Sequence, residues 1–164
     1  MEKEGELLKF KGFYFQSSVV DYDILEKLED FEIRDNDIFV ISYPKSGTVW
    51  ILQILCLIHF EGYRNKTDTR PLNLRAPFLE YNVSHVDLEK TPSPRIIGSH
   101  LPYYLVPRGL KNKKAKIIYM CRNPKDVMNS FFHFSNMLKV FQPTNTMEEF
   151  MKKFLEGKGN FLEF

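Results

Sequence analysis

A short apolar strand, a tight turn and a buried helix follow one another within residues 37–60, and no other part of the chain narrows its fold as far. Asp37-Ile38-Phe39-Val40-Ile41-Ser42 is an apolar, β-rich run of the kind buried on both faces in a parallel sheet. Tyr43-Pro44-Lys45-Ser46-Gly47 breaks it. Thr48 to Phe60 is mostly apolar and predicts a helix against the sheet, interrupted by Gln53 and His59. At that length it falls well short of the roughly 20 residues that span a bilayer.

The remaining pattern extends this unit. Arg95-Ile96-Ile97-Gly98-Ser99 and Ala115 to Cys121 predict two further strands. Pro124 suits the first position of a helix, with Asp126 in the turn where the helix dipole favours a carboxylate. Thr146-Met147-Glu148-Glu149 is a capping box that opens a helix to about Glu156, with Gly157 as its C-cap. Val19 to Leu28 has helical spacing at Val20, Ile24, Leu25 and Leu28. Residues 1–18 are expected to be irregular, and Arg64 to Pro94 to be long loops with one helix around Phe78 to Leu88. Strands alternating with helices imply an α/β fold, a parallel sheet with flanking helices. Such sheets bind ligands at the carboxyl ends of their strands. Three punctuations fall there: Tyr43–Gly47, Ser99–Pro102 and Arg122–Lys125.

Composition excludes several classes. With 164 residues, 43% hydrophobic and 27% charged, the chain is globular and of one-domain length. A net charge of +2 argues against a general nucleic-acid binder. Cys56 and Cys121 both lie in apolar runs and read as buried free thiols rather than a disulfide framework. The charged start, Met1-Glu2-Lys3-Glu4-Gly5-Glu6, shows no secretory signal. The expectation is a soluble, cytoplasmic protein with no membrane partner.

Three segments carry chemistry. A strand entering a helix through Lys45-Ser46-Gly47-Thr48 presents backbone N–H groups to an anion, with Lys45 as a cation and Ser46 and Thr48 as hydroxyl donors. The turn reads either as a phosphate cradle or as a plain strand–helix connection, and it lacks the Gly-x-x-x-x-Gly of the usual P-loop. His100, after a strand, reads either as a general base or as an ordinary surface or hydrogen-bond-satisfied histidine. Arg122 at a strand end can fork onto a phosphate, with Ser130 eight residues later on the next helix; a surface ion pair is the plainer alternative. Lys111, Lys113, Lys114 and Lys116 read as a solvated basic loop. No metal-ligand spacing is present, so no metal is expected.

Together, YPKSGTVW at 43–50, SHLP at 99–102 and RNPKD at 122–126, followed by Ser130 and His133-Phe134, resemble the cytosolic sulfotransferase family. RAPFLE at 75–80, PSPR at 92–95 and LVP at 105–107 resemble it as well, and the spacing is nearest the amine sulfotransferase branch. The resemblance covers about residues 10–157 and implies a P-loop, nucleotide-kinase-like sulfotransferase fold. It implies 3′-phosphoadenosine 5′-phosphosulfate (PAPS) as donor, an amine or hydroxyl of a small molecule as acceptor, and a homodimer. By motif match, Lys45, Ser46, Gly47, Thr48, Val49 and Trp50 would hold the donor, with Trp50 against the adenine. Arg122 and Ser130 would hold its 3′ phosphate. His100 would be the base and Lys45 would stabilise the leaving group. Phe78, Gly98, Ser99, His100 and Phe134 would face the acceptor.

The sequence also departs from the family. Val49 replaces a second threonine, and Gly98 replaces a lysine two residues before the histidine. The family continues well past Phe164, with a further donor-binding segment and the dimer motif, and residues 158–164 leave its pattern. The resemblance therefore implies one C-terminally truncated domain over 1–164. It comprises an N-terminal segment 1–36, a donor- and acceptor-binding region 37–157 and a divergent tail 158–164. The alternative to a working transferase is a non-catalytic product that retains part of a nucleotide site.

Overall fold

The computed structural model describes residues 7–60, 69–81, 85–138, 141 and 143–156. These fall into two compact units, Asp21–Cys121 and the pair of segments Met1–Val20 and Arg122–Phe164.

The Asp21–Cys121 unit is built on a three-stranded parallel sheet. Strand β3 (Ile38–Ser42) lies between β4 (Ile96–Ser99) and β5 (Lys116–Met120). Ile38 is opposite Ile96 on one side and Lys116 on the other, so the three strands start level. Helix α2 (Thr48–His59) follows β3 and lays Leu52 and Cys56 on Val40 and Ile96, with Ile118 and Met120 at the margin of that core. Helix α1 (Tyr22–Lys27) begins later than the spacing of Val19–Leu28 implies. Asp21 caps it, its carboxylate accepting the Asp23 amide at 2.9 Å.

The expected helix around Phe78–Leu88 is absent from the described residues of that stretch. The helix falls earlier instead, at α3 (Leu72–Arg75), between Pro71 and Pro77. A residue before proline is pushed out of helical geometry, and Ala76 is extended at φ −139°. Beyond it the chain runs beside β4: the Leu79 amide donates to the Gly98 carbonyl and the Gly98 amide to the Pro77 carbonyl, each at 2.9 Å. Phe78 is thereby bridged in parallel to Gly98.

At the amino ends of β3 and β4, Asp37 and Arg95 form a fully buried ion pair. Arg95 Nε donates to Asp37 Oδ1 at 2.8 Å and Nη2 to Oδ2 at 2.5 Å. The guanidinium also donates to the Leu88 carbonyl at 3.0 Å and the Glu32 carbonyl at 2.7 Å. The Arg34 amide donates to Asp37 Oδ2 at 2.8 Å. A buried charge is tolerated when its hydrogen-bonding capacity is this fully used.

In the other unit, residues 1–18 are not irregular. Strands β1 (Leu7–Phe10) and β2 (Phe13–Gln16) form an antiparallel hairpin. Its turn is Lys11-Gly12, both with positive φ (47° and 89°), as a two-residue hairpin loop requires. Lysine is an unusual first residue for that turn, so the usual Asn-Gly or Asp-Gly signal was missing. Phe13 and Phe15 are buried with ring centroids 4.7 Å apart. Helix α4 (Pro124–Met137) starts on proline as expected, and Asn123 caps it by accepting the Lys125 amide at 3.0 Å. Helix α5 (Met147–Leu155) is capped by Thr146, which accepts the Glu149 amide at 3.2 Å. The expected C-cap Gly157 and the tail 158–164 lie outside the described residues.

One cysteine departs from expectation. Cys56 is buried, but Cys121 is exposed. It follows β5, one of the two edge strands among the described residues, whose Ile117 and Tyr119 are also exposed, so an apolar run here does not mean an apolar environment. Among the described residues no helix is long and apolar enough to cross a membrane.

Replacing Asp37 with alanine leaves the Arg95 charge buried and unpaired. We expect urea denaturation to show a stability loss of about 3–5 kcal/mol. The double replacement with Arg95→Leu is expected to recover part of it but not all, because the Leu88 and Glu32 carbonyls lose their donor.

Candidate functional site

The carboxyl ends of β3 and β4 bring two of the predicted segments together. The turn after β3 holds Lys45 at φ 68° and Gly47 at φ 105°, both left-handed, around the intervening Ser46. At Gly47 the constraint is conformational rather than steric, because an added Cβ would meet only Met120 Cε, at 3.9 Å. The Ile51 amide is the first in α2 to reach back, donating to the Gly47 carbonyl at 3.1 Å. The amides of Thr48, Val49 and Trp50 therefore have no intrahelical acceptor and carry the positive end of the helix dipole. Val49 and Trp50 are largely exposed, at 63% and 67%. Thr48 is buried, its hydroxyl hydrogen-bonded to that of Ser42 at 2.5 Å. Its side chain is thus engaged with the strand end rather than offered outward. Ser46 is buried too.

His100 follows β4 beside that turn. Its Nδ1–H donates to the Ser42 carbonyl at 2.6 Å, which assigns the proton to Nδ1 and leaves the lone pair on Nε2. Burial pushes the imidazole down to about 4, against a smaller opposing effect of the bond to Ser42. The ring is therefore neutral at physiological pH, as a general base must be. Phe78 and Tyr81 flank it, with ring centroids 4.9 and 6.1 Å from the imidazole.

Gly98 and Ser99 are buried rather than surface-lining. A Cβ at Gly98 would stand 3.2 Å from the Phe78 ring and 3.1 Å from Leu52 Cδ1. The small residue at 98 is thus what lets the Phe78 ring pack where it does. The Ser99 hydroxyl accepts the Leu101 amide at 3.1 Å.

Two residues escaped the sequence reading. Ser42 is the acceptor that orients His100 and the partner of Thr48. Glu80 is fully buried, and its Oε1 accepts the His100 amide at 2.6 Å. Burial pushes its carboxyl up to about 7, opposed by hydrogen bonds from the His100 amide and Ser99. A carboxylate directly after the apolar stretch Ala76–Leu79 and before Tyr81 was the available signal for it.

Arg122, Ser130 and Phe134 belong to the other unit. Arg122 is exposed in the segment before α4. Ser130 and Phe134, both half-buried, are four residues apart on that helix and so share a face. The Phe134 ring lies 5.8 Å from Phe141 and 6.5 Å from Phe131.

A strand, a turn with left-handed backbone and a helix thus stand beside an oriented, neutral histidine at the carboxyl edge of a parallel sheet. The chain matches the sulfotransferase domain model over residues 35–164, and it belongs to that family. It is 64% identical over 152 residues to the amine sulfotransferase of Oryctolagus cuniculus, covering 93% of this chain and 50% of that protein. It is 39% identical over 141 residues to sulfotransferase 1A1 of Canis lupus familiaris, covering 83% of this chain and 48% of that one. The crystal structure of mouse sulfotransferase SULT7A1 complexed with PAP superposes with a TM-score of 0.73 at 32% identity, over 93% of this chain and 52% of that one. The chain thus spans about half the length of the curated relatives it matches.

Linkage makes the charge states of His100 and Glu80 measurable. The His100 value in the folded chain, about 4, lies below its ordinary 6.5, so its contribution to stability is complete above 6.5 and is lost as pH falls towards 4. The Glu80 value, about 7, lies above its ordinary 4.5, so its contribution is complete below 4.5 and is lost as pH rises towards 7. The two slopes oppose each other in between. Denaturant titrations of His100→Gln are expected to expose the Glu80 slope alone, with stability falling steadily from pH 4.5 to 7, where the unsubstituted protein is flatter.

Proposed function

We propose that this chain carries the donor turn and the base of a sulfotransferase that moves a sulfonate group from PAPS to an amine or hydroxyl of a small acceptor. The observation that carries the reading is the neutral His100, tied through Nδ1 to the Ser42 carbonyl at the strand end from which the anion-accepting turn departs.

The turn fits the phosphate end of such a donor: left-handed backbone at Lys45 and Gly47, and helix amides with no intrahelical acceptor. Bound there, the donor supplies an activated sulfuryl group whose leaving phosphate takes up charge. Lys45 counters that charge where it develops. Backbone amides from Ser46 to Trp50 orient the anion, and Trp50 offers an exposed indole to the adenine. His100 takes the acceptor's proton on Nε2. Phe78 shapes the acceptor side of His100, with Gly98 and Ser99 acting from behind it, and Phe134 adds an aromatic surface. Arg122 and Ser130 receive the 3′ phosphate. Sulfuryl transfer of this kind can run on positioning and charge stabilisation.

A second reading is that the 164 residues alone bind nucleotide without transferring sulfonate. The exposed Ile117 and Tyr119 favour it, since a site that excludes water needs its surrounding faces covered. Comparing sulfonate transfer by this chain with that of a chain extended by the remaining half of its relatives separates the two.

In whichever form transfers sulfonate, Lys45→Ala and His100→Ala are expected to lower turnover. Each removes an interaction that strengthens in the transition state. Near-normal turnover of either variant excludes the assignment. In calorimetric titrations, Arg122→Ala is expected to weaken binding of the 3′-phosphorylated nucleotide by about 1.5–3 kcal/mol, leaving the 3′-dephosphorylated form little changed. Equal losses for both ligands would place Arg122 away from the 3′ phosphate.

A further inference from the structure

Glu80 is a buried ionisable group that the proposed chemistry does not use, and unlike Asp37 and Arg95 it has no ion-pair partner among the described residues. It has no exposed surface, and its Oε2 makes no hydrogen bond among the described residues. The titratable groups facing it are its neighbour Tyr81 and the His100 segment, and no cation pairs with it among the described residues. An apolar residue of similar size would avoid the desolvation that a buried carboxyl suffers. What the carboxyl does hold is the His100 amide, at 2.6 Å, with the Ser99 side chain as a further partner.

We propose that Glu80 is a positioning residue for His100: by accepting the backbone amide it fixes the segment from which the imidazole reaches Ser42, and so sets the tautomer that leaves Nε2 as the base. His100 is then gripped at two points, by its amide from the 76–81 segment and by its ring from the end of β3. Phe78 and Tyr81, on the same segment as Glu80, close around the ring. With only the Ser42 bond, the segment after β4 could shift and the ring could exchange that bond for water. Below about pH 7 the carboxyl is protonated, so in that range its grip is a hydrogen bond and not a charge. An amide carbonyl can replace it there, whereas a shorter or absent side chain cannot. The inference rests on the reading of His100 as base for its consequence in catalysis, but not for its geometry.

The test is nitrogen-15 and carbon-13 NMR of the labelled 164-residue chain, with the His100 ring assigned by comparison with His100→Gln. In the unsubstituted protein, His100 is expected to show the Nδ1–H tautomer. Its amide proton shift should follow the titration of the Glu80 side-chain carboxyl, with a common midpoint. Glu80→Gln is expected to keep the tautomer. Glu80→Ala and Glu80→Asp are expected to give averaged tautomers and a His100 titration midpoint raised by about one pH unit or more, as the ring gains water. Retention of both tautomer and midpoint in folded Glu80→Ala would overturn the proposal, leaving Glu80 a structural residue only. Should the shortened variants fail to fold, an amide shift at His100 that ignores the Glu80 titration overturns it from the unsubstituted protein alone. Tautomer loss in Glu80→Ala alongside full turnover of His100→Ala would uphold the positioning while removing the catalytic role of His100.

Discussion

The buried pair of Asp37 and Arg95 sets the geometry on which the site depends. Both residues stand immediately before their strands, and their bidentate contact pins the starts of β3 and β4 level with one another. The Ile38 amide donates to the Arg95 carbonyl and the Lys116 amide to the Asp37 carbonyl, each at 2.8 Å, so the same pair also registers β5. A one-residue slip in a sheet turns every side chain to the opposite face. Register at the amino ends therefore decides what meets at the carboxyl ends. There, Ser42 closes β3 just where His100 leaves β4. The ion pair and the proposed site lie at opposite ends of two strands, coupled through the ladder between them.

At the carboxyl ends the controlling physics is desolvation balanced by a few well-placed hydrogen bonds. Thr48, Ser42, His100 and Glu80 form a chain of polar contacts within aromatic and aliphatic surroundings. The low polarity that makes an unpaired group costly there also strengthens each bond that is made. It keeps His100 neutral and Glu80 reluctant to ionise, moving two titrations in opposite directions. The left-handed backbone at Lys45, a conformation that costs a non-glycine residue energy, adds strain at the same place.

One part of the sheet remains open. A sheet in this architecture needs cover on both sides. Helix α2 covers one side through Leu52 and Cys56, while Ile117 and Tyr119 are exposed. On that second side Phe39 and Ile97 are buried, so among the described residues the open part is confined to β5, with Cys121 exposed beside it.

The sequence alone determined the parallel α/β class, the three sheet strands to within a residue or two, the glycine turn into α2, the proline start of α4 and the N-cap of α5. These depend on local patterns: apolar runs, proline and glycine punctuation, and side chains that bond amides two or three residues away. It also indicated the turn at 43–50 and His100 as candidates, and the order of motifs pointed to the family. The hairpin at 7–16 was not legible, because Lys11-Gly12 is an unusual pair for its turn. Pro77 placed the helix of the middle segment at Leu72–Arg75 and not at Phe78. Only the tertiary structure decided that Ser42 orients His100, that Gly98 makes room for Phe78, and that Glu80 grips the His100 amide. Each of these joins residues distant in sequence through strand register and burial, and no local pattern carries that information.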